Sequence, residues 1–168
     1  MNLPLLFALI FPACLIWAAV SDLTTMTIPN RLSIILAAMF LPVALLLKPD
    51  LLFIAEHLGV GALAFVLGIV AFALRFMGGG DAKLIAATAL WFHFQGFVVF
   101  LVYVALAGGA LTLLLLMARQ FLEIFTPTFP GWLQRLLQPK GDIPYGIAIC
   151  AGGLLAIPHS NLYPLLGL

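Results

Sequence analysis

Residues 96–118 read GFVVFLVYVALAGGALTLLLLMA, a run of 23 residues that contains no charged side chain. A helix needs about 20 mostly apolar residues to cross a bilayer, so this run predicts a transmembrane helix. The rest of the chain is similar, since 65% of its 168 residues are hydrophobic and 8% are charged. Soluble domains are nearer half apolar and a quarter charged, and this composition therefore excludes a soluble globule.

The apolar content predicts an all-α fold, a polytopic membrane protein with about six transmembrane helices. Six such helices would use roughly 120 residues, close to the number of apolar residues in the chain. The net charge is +1 and no basic cluster is present, so nucleic acid is not expected as a partner. The predicted spans are Leu3–Val20, Leu32–Leu47, Leu58–Met77, Leu84–Phe94 (extended back through Asp81), Gly96–Ala118 and Ile143–Leu162.

The distribution of Lys and Arg predicts the orientation of these spans. Six basic residues lie in loops on one side, and on the other side only Lys48 does; the six are Arg31, Arg75, Lys83, Arg119, Arg135 and Lys140. Basic loops stay in the cytoplasm, which places both termini outside. No Lys or Arg precedes Leu3–Val20, so a retained span is favoured over a cleaved signal peptide. Within Phe121–Gln138, the apolar spacing predicts a short helix lying in the interface.

Two acids lie at the ends of predicted spans on the cytoplasmic side. Asp22 follows the first span and Asp81 begins the fourth, 59 positions later. Carboxylates beside a bilayer are costly and need a reason. Two carboxylates in a partly dry site cannot both ionise easily, so one keeps its proton while the other acts as a base. Such a pair can activate water for attack on a peptide carbonyl and protonate the leaving group.

Simpler roles exist for both acids. Asp22 can end a helix at the interface, and Asp81 can cap the fourth span. A small transporter is a second functional class, although its acids are expected near mid-span. A non-catalytic scaffold for pilus or secretion assembly is a third class, and it would need no acid pair. The glycines before Asp81, residues 78–80, allow close backbone approach and unusual dihedral angles.

Three blocks of sequence carry a resemblance to a known family. Gly78-Gly79-Gly80-Asp81-Ala82-Lys83-Leu84 is similar to the G-x-G-D-x-K-L motif of the type IV prepilin peptidases, which are membrane aspartyl proteases. Asp22 with the downstream Ile28-Pro29-Asn30 resembles the first acid of that family. Pro144-Tyr145-Gly146-Ile147-Ala148-Ile149 resembles the stretch that opens the last span of the family. The blocks occur in the order of the family and extend over nearly the whole chain.

The resemblance implies a peptidase that removes basic leaders from type IV prepilins or pseudopilins at the cytoplasmic face of the bacterial inner membrane. It implies that Asp22 and Asp81 are the catalytic acids, with Gly78 and Gly80 as the motif glycines. Pro29, Asn30, Pro144, Tyr145 and Gly146 are then supporting residues. The N-terminal region with two C-x-x-C pairs, found in the methylating members, is missing, so 1–168 is expected to be one integral-membrane peptidase domain. The chain resembles the short, peptidase-only form associated with Flp pili of tight-adherence systems, which implies prepilins, lipid and the pilus assembly machinery as partners.

The remaining polar residues give weaker signals. Lys83 either favours the ionised form of Asp81, binds phosphate headgroups or snorkels to the interface. Asp142 contacts a basic leader or is a solvated loop acid. The scattered histidines predict no metal site, and no cofactor is expected; they are His57, His93 and His159. The cysteines Cys14 and Cys150 are expected to be small buried residues, and the tryptophans Trp17, Trp91 and Trp132 to be interface anchors.

Overall fold

The computed structural model describes residues 9–46, 50–122, 128–139, 141–160 and 163. Every regular element within these ranges is helical, which confirms the all-α prediction. Leu3, Leu47, Lys48, Lys140 and Leu162, used above for span ends and charge counting, lie outside the described residues. The helices are α1 (Ile10–Thr25), α2 (Asn30–Leu46), α3 (Leu51–Ala73), α4 (Gly79–Ala89), α5 (Phe94–Leu122), α6 (Gly131–Leu136) and α7 (Tyr145–Leu155), with a 3₁₀ turn at Ile157–His159.

Two of these helices, α3 with 23 residues and α5 with 29, are long and apolar enough to cross a membrane. The helices α4 and α7 have 11 residues each, so each reaches ~17 Å, little more than half of a ~30 Å hydrocarbon core. Pro158 lies within the 3₁₀ turn that follows α7, and its missing N–H opposes helix continuation there. Six transmembrane helices therefore stay a prediction, and the short helix α6 lies where an interfacial helix was expected.

The helix ends gather at two ends of the bundle, which we call the polar end and the aromatic end. The polar end contains the close of α1, α3 and α5 and the start of α2, α4 and α7. There Gly146 of α7 bonds to Asp22 of α1, and Arg135 of α6 donates to the carbonyl of Thr24. At the aromatic end, the start of α5 bonds to the start of α3, where the N–H of Phe94 donates to Glu56.

Close helix packing depends on a few glycines. The helices α5 and α7 pack together, and a Cβ at Gly152 would lie 2.7 Å from the backbone nitrogen of Val104. Gly108 is buried beside Tyr145, whereas a Cβ at its neighbour Gly109 would meet nothing within 4 Å. Small residues let helices in a membrane approach closely, and of this pair only Gly108 serves such a contact.

The aromatic end is filled by ring side chains. Phe92 packs edge-on against Phe11 at 6.0 Å and stacks on Phe100 at 5.5 Å. Trp91 is only 2% exposed and its indole N–H donates to the carbonyl of Leu36 at 3.1 Å. The expectation that Trp91 anchors the interface is therefore wrong, because the turn after α4 directs it into the core. His57 is also buried, stacked on Phe53 at 4.2 Å, and is a core residue.

Candidate active site

Asp22 lies in the last turn of α1 and is held by the start of α7. Its side chain is 6% exposed, and its Oδ2 accepts a hydrogen bond of 2.7 Å from the backbone N–H of Gly146. A Cβ at Gly146 would lie 2.9 Å from both Cβ and Oδ2 of Asp22. Glycine at position 146 is thus required for the approach of these two helices, which is the physical reason for the Pro144-Tyr145-Gly146 block.

Asp81 is the third residue of α4, directly after the glycine run. Gly78 is the N-cap, and its backbone N–H donates to Oδ2 of Asp81 at 3.3 Å. Asp81 therefore closes the first turn of α4 but is not the N-cap that the simpler reading of the sequence predicted. None of residues 78–80 has a positive φ, so the expected unusual dihedrals are also wrong. What these glycines allow is close packing, since a Cβ at Gly78 would lie 2.9 Å from Oδ2 of Asp81.

The Ile28-Pro29-Asn30 block contacts the glycine–aspartate block directly. A Cβ at Gly80 would lie 3.2 Å from the Cβ of Ile28, so the start of α4 lies against the segment that links α1 to α2. Lys83, which is exposed, donates from Nζ to Oδ1 of Asn30 at 3.0 Å. Because Ile28 and Asn30 flank Pro29, both ends of this block are tied to α4, which fixes Asp81 relative to the end of α1.

One cavity of about 380 Å³ is lined by both acids. Its wall also includes Gly78, Tyr145 and the exposed acid Asp142, together with residues from the ends of α1 and α3. Two of those wall residues, Met26 and Arg75, have positive φ values of 55° and 61° although neither is glycine. Left-handed backbone of this kind is uncommon outside glycine, and here it caps the C-terminal ends of α1 and α3 at the wall of the cavity.

The two carboxylates have different environments. Both lie in end turns at the polar end, outside the two helices that are long enough to span a membrane. The pKa of Asp81 is raised to about 6, mainly by burial and next by the charge of Asp22, while the hydrogen bond from the Gly78 N–H lowers it. Burial raises the pKa of Asp22 as well, while the hydrogen bond from Gly146 lowers it. Two carboxyl groups in one cavity do not both ionise easily, and the charge of Asp22 favours the protonated form of Asp81.

Arg119 is a structural residue of the polar end that the sequence analysis used only as a positive charge. It is 8% exposed, and its guanidinium donates to the carbonyls of Leu136, Gly141 and Asp142 at 3.0, 2.9 and 2.9 Å. These bonds tie the end of α5 to the segment before α7, and so hold Asp142 at the cavity. A charge in the last turn of a long apolar helix was the available signal, although its partners are carbonyls that no sequence pattern reveals.

The structure brings the predicted residues together as follows. Asp22, Asp81, Gly78 and Tyr145 line the acid cavity, and Gly146 is bonded to Asp22. Gly80, Asn30 and Lys83 join α4 to the start of α2, which gives Lys83 a bonding partner that was not among its expected roles. Pro144 is buried and is the N-cap of α7.

The arrangement has the groups that general acid–base chemistry on a peptide carbonyl needs, since two carboxyl groups line one cavity and the pKa of each is raised. A family model described as the type IV leader peptidase family matches residues 9–113, more than half of the chain. That range includes Asp22 and Asp81 but ends before Gly146. No curated protein and no solved structure matched the chain.

Proposed function

The chain belongs to the type IV leader peptidase family, and we propose that it is an aspartyl endopeptidase that removes the basic leader from Flp-like prepilins or pseudopilins. The observation that supports this most is the pair of acids from distant parts of the chain that line one cavity, Asp22 and Asp81. Family membership supports a peptidase acting on prepilin-type substrates. The acid pair supports the aspartic mechanism, because water and two carboxyl groups suffice for peptide hydrolysis.

In this mechanism Asp22 is the general base and Asp81 the general acid. Asp22 removes a proton from water as the water oxygen attacks the scissile carbonyl carbon. Asp81 donates its proton to the carbonyl oxygen, which forms a neutral tetrahedral intermediate. The C–N bond then breaks as Asp22 gives its proton to the leaving nitrogen and one hydroxyl of the intermediate gives a proton to Asp81. The products are a new carboxyl group and a new amino terminus, and both acids are back in their starting states. The raised pKa of Asp81 supports the assignment of the acid role to it.

The acid cavity is proposed to face the cytoplasm of a bacterium, at the inner membrane. Arg31, Arg75 and Arg135 lie at the polar end, in or beside the connections between helices, and basic segments of this kind remain cytoplasmic. A basic leader remains on that side for the same reason, so its junction with an apolar segment is presented at the level of the acids. This orientation requires six membrane spans, which we propose; they include the two helices, α3 and α5, that are long enough to span a membrane by themselves.

The proposed substrate class is tested with purified enzyme and a prepilin precursor in liposomes. We expect a gel shift, with a new amino terminus directly after the glycine that ends the leader, as the family resemblance implies. A precursor with a bulky residue in place of that glycine is the matched control and is expected to remain uncut. Efficient processing of the altered precursor, or no processing of the normal one, would contradict this substrate class.

A further inference from the structure

A second cavity, of about 540 Å³, adjoins the acid cavity. Four residues line both cavities, so the two are adjacent; they are Phe76, Met77, Asp81 and Tyr145. The remaining walls come from α4, α5 and α7 and are apolar apart from Thr112, whose hydroxyl is bonded to the carbonyl of Gly108. We call this second cavity the apolar groove.

The apolar groove leads away from the acids toward the aromatic end of the bundle. On α5 its wall extends from Thr112 back to Val104, a distance of about 12 Å along the helix. On α4 and α7 it extends from Asp81 to Ile85 and from Tyr145 to Ile149, one turn in each case. The groove therefore begins where the peptide bond is to be cut and continues for about two helical turns.

The groove is open on the side of α5. Ala105, Gly109 and Leu113 are exposed along one face of that helix, and Leu113 is 64% exposed. Phe76, at 79% exposed, lies at the mouth beside Asp81. Gly109 has no side chain and so leaves a gap on this face, and a Cβ at that position would meet nothing within 4 Å. A segment in the membrane can thus enter sideways, without passing through the acid cavity.

Because the apolar groove adjoins the acid cavity at Asp81, we propose that it binds the apolar helix of the precursor directly after the scissile bond, with Gly109 leaving room for one side chain of that helix. The proposal rests on the proposed peptidase function and specifies where the substrate is held. The polarity of the two cavities sets the direction in which the precursor lies. The acid cavity carries the carboxyl groups of Asp22, Asp81 and Asp142, and it therefore suits the basic leader. The apolar walls then match the segment that follows the cut, and close packing of side chains in the groove supplies the attraction, as it does between helices within a bilayer.

The test compares two tryptophan variants of the whole enzyme in liposomes with the same prepilin precursor. Gly109→Trp fills the groove, and we expect at least a tenfold loss of kcat/KM, mostly through KM. Gly59→Trp is the matched control, because Gly59 is also an exposed helical glycine whose Cβ would meet nothing within 4 Å, and it lies on α3 away from the groove. The control is expected to cut at the wild-type rate.

The outcomes separate the inference from the function on which it rests. If wild type and both variants cut equally, the groove does not bind the substrate, although the peptidase function stands. If none of them cuts, the proposed function fails, and the inference fails with it.

A second measurement does not depend on the fold of the tryptophan variant. A photo-crosslinking residue is placed at successive positions of the precursor and irradiated with Asp22→Asn enzyme. Crosslinks to the 104–113 segment of α5 are expected from positions after the cut, recurring every three to four residues as one face of a helix docks. Crosslinks to that segment from leader positions, or none from positions after the cut, would overturn the proposal.

Discussion

The core of the aromatic end is filled by large rings, namely Phe11, Phe92 and Phe100. At the polar end, Gly146 and Gly80 instead let the starts of α7 and α4 come close to the side chains of Asp22 and Ile28. Phe92 is completely buried between two other rings. Gly146, in contrast, lies so near Asp22 that a single added methyl would collide with it. The aromatic end thus contributes packing energy, and the polar end positions two acids.

The two ends also differ in the free energy of burying their side chains. Burying a carboxylate is unfavourable unless hydrogen bonds compensate for it, and at the polar end burial raises the pKa of both acids. Burying rings at the aromatic end is favourable, and the indole N–H of Trp91 has a partner there. We therefore expect changes at the polar end to affect cleavage and changes at the aromatic end to affect stability.

The largest effect on cleavage is expected from the acids themselves. Asp22→Asn and Asp81→Asn should each slow cleavage by ~10²–10⁴-fold, because Asn cannot exchange a proton as base or acid. The double variant should be scarcely slower than either single one, since the two groups act as a unit. Single-turnover rates with prepilin measure this, and Asp142→Asn is the milder control. A double variant slowed by the product of the two single effects would show that the acids act separately.

A smaller loss, ~10²-fold, is expected for Gly146→Ala. The added Cβ must displace Asp22, and a misplacement of ~1 Å can have an effect of this size. Gly59→Ala is the matched control, as its Cβ would be in open space. Cleavage rates per amount of membrane-inserted protein provide the comparison. If both alanine variants cut at the wild-type rate, the fixed position of Asp22 has no role in the reaction.

The smallest effect on cleavage is expected at the aromatic end. Phe92→Ala should reduce the free energy of unfolding by ~3–5 kcal/mol, because it removes a ring buried between two others. The folded fraction should still cut at close to the wild-type rate. Thermal unfolding and cleavage of the same preparation measure both quantities. A large loss of cleavage rate with unchanged stability would show that the aromatic end contributes to the reaction and not only to stability.

Asp81→Asn is expected to change stability in the opposite direction. The pKa of Asp81 is about 6 in the folded protein and is higher than in the unfolded chain, so folding favours the protonated form. Ionisation therefore lowers stability progressively as the pH rises from about 4 through about 6. Asn is always neutral, so the variant should unfold at a higher temperature than wild type at pH 7.5. The difference should vanish near pH 4, and a variant that is less stable at pH 7.5 would contradict this reasoning.

The sequence predicted the helical class and both acids, but not the contacts that bring them together. Periodicity and composition are local, so the long apolar runs correctly indicated α3 and α5. Runs interrupted by Pro158 or by the turn before Phe92 were predicted too long, because a hydropathy pattern does not show where a helix turns. The bonds of Lys83 with Asn30 and of Gly146 with Asp22 join residues 53 and 124 positions apart.

Glycine and arginine show the same limit. The glycine–aspartate block was visible in the sequence, yet the reason for Gly80 is the Cβ of Ile28, which only the folded chain places beside it. Arg119 was counted for orientation, whereas its guanidinium holds three carbonyls before α7. The sequence therefore pointed to these residues by their type and position, whereas their partners required the tertiary structure.

The central claim is that Asp22 and Asp81 form one site, and the pKa of Asp81 tests it most directly. Carboxyl-selective ¹³C NMR titration of wild type and Asp22→Asn provides this pKa, with Asp142→Asn as the control. We expect a value of about 6 in wild type, a clearly lower value in Asp22→Asn, where the neighbouring charge is missing, and no change in the control. An Asp81 pKa that is the same in wild type and in Asp22→Asn would show that the two carboxylates do not share a site.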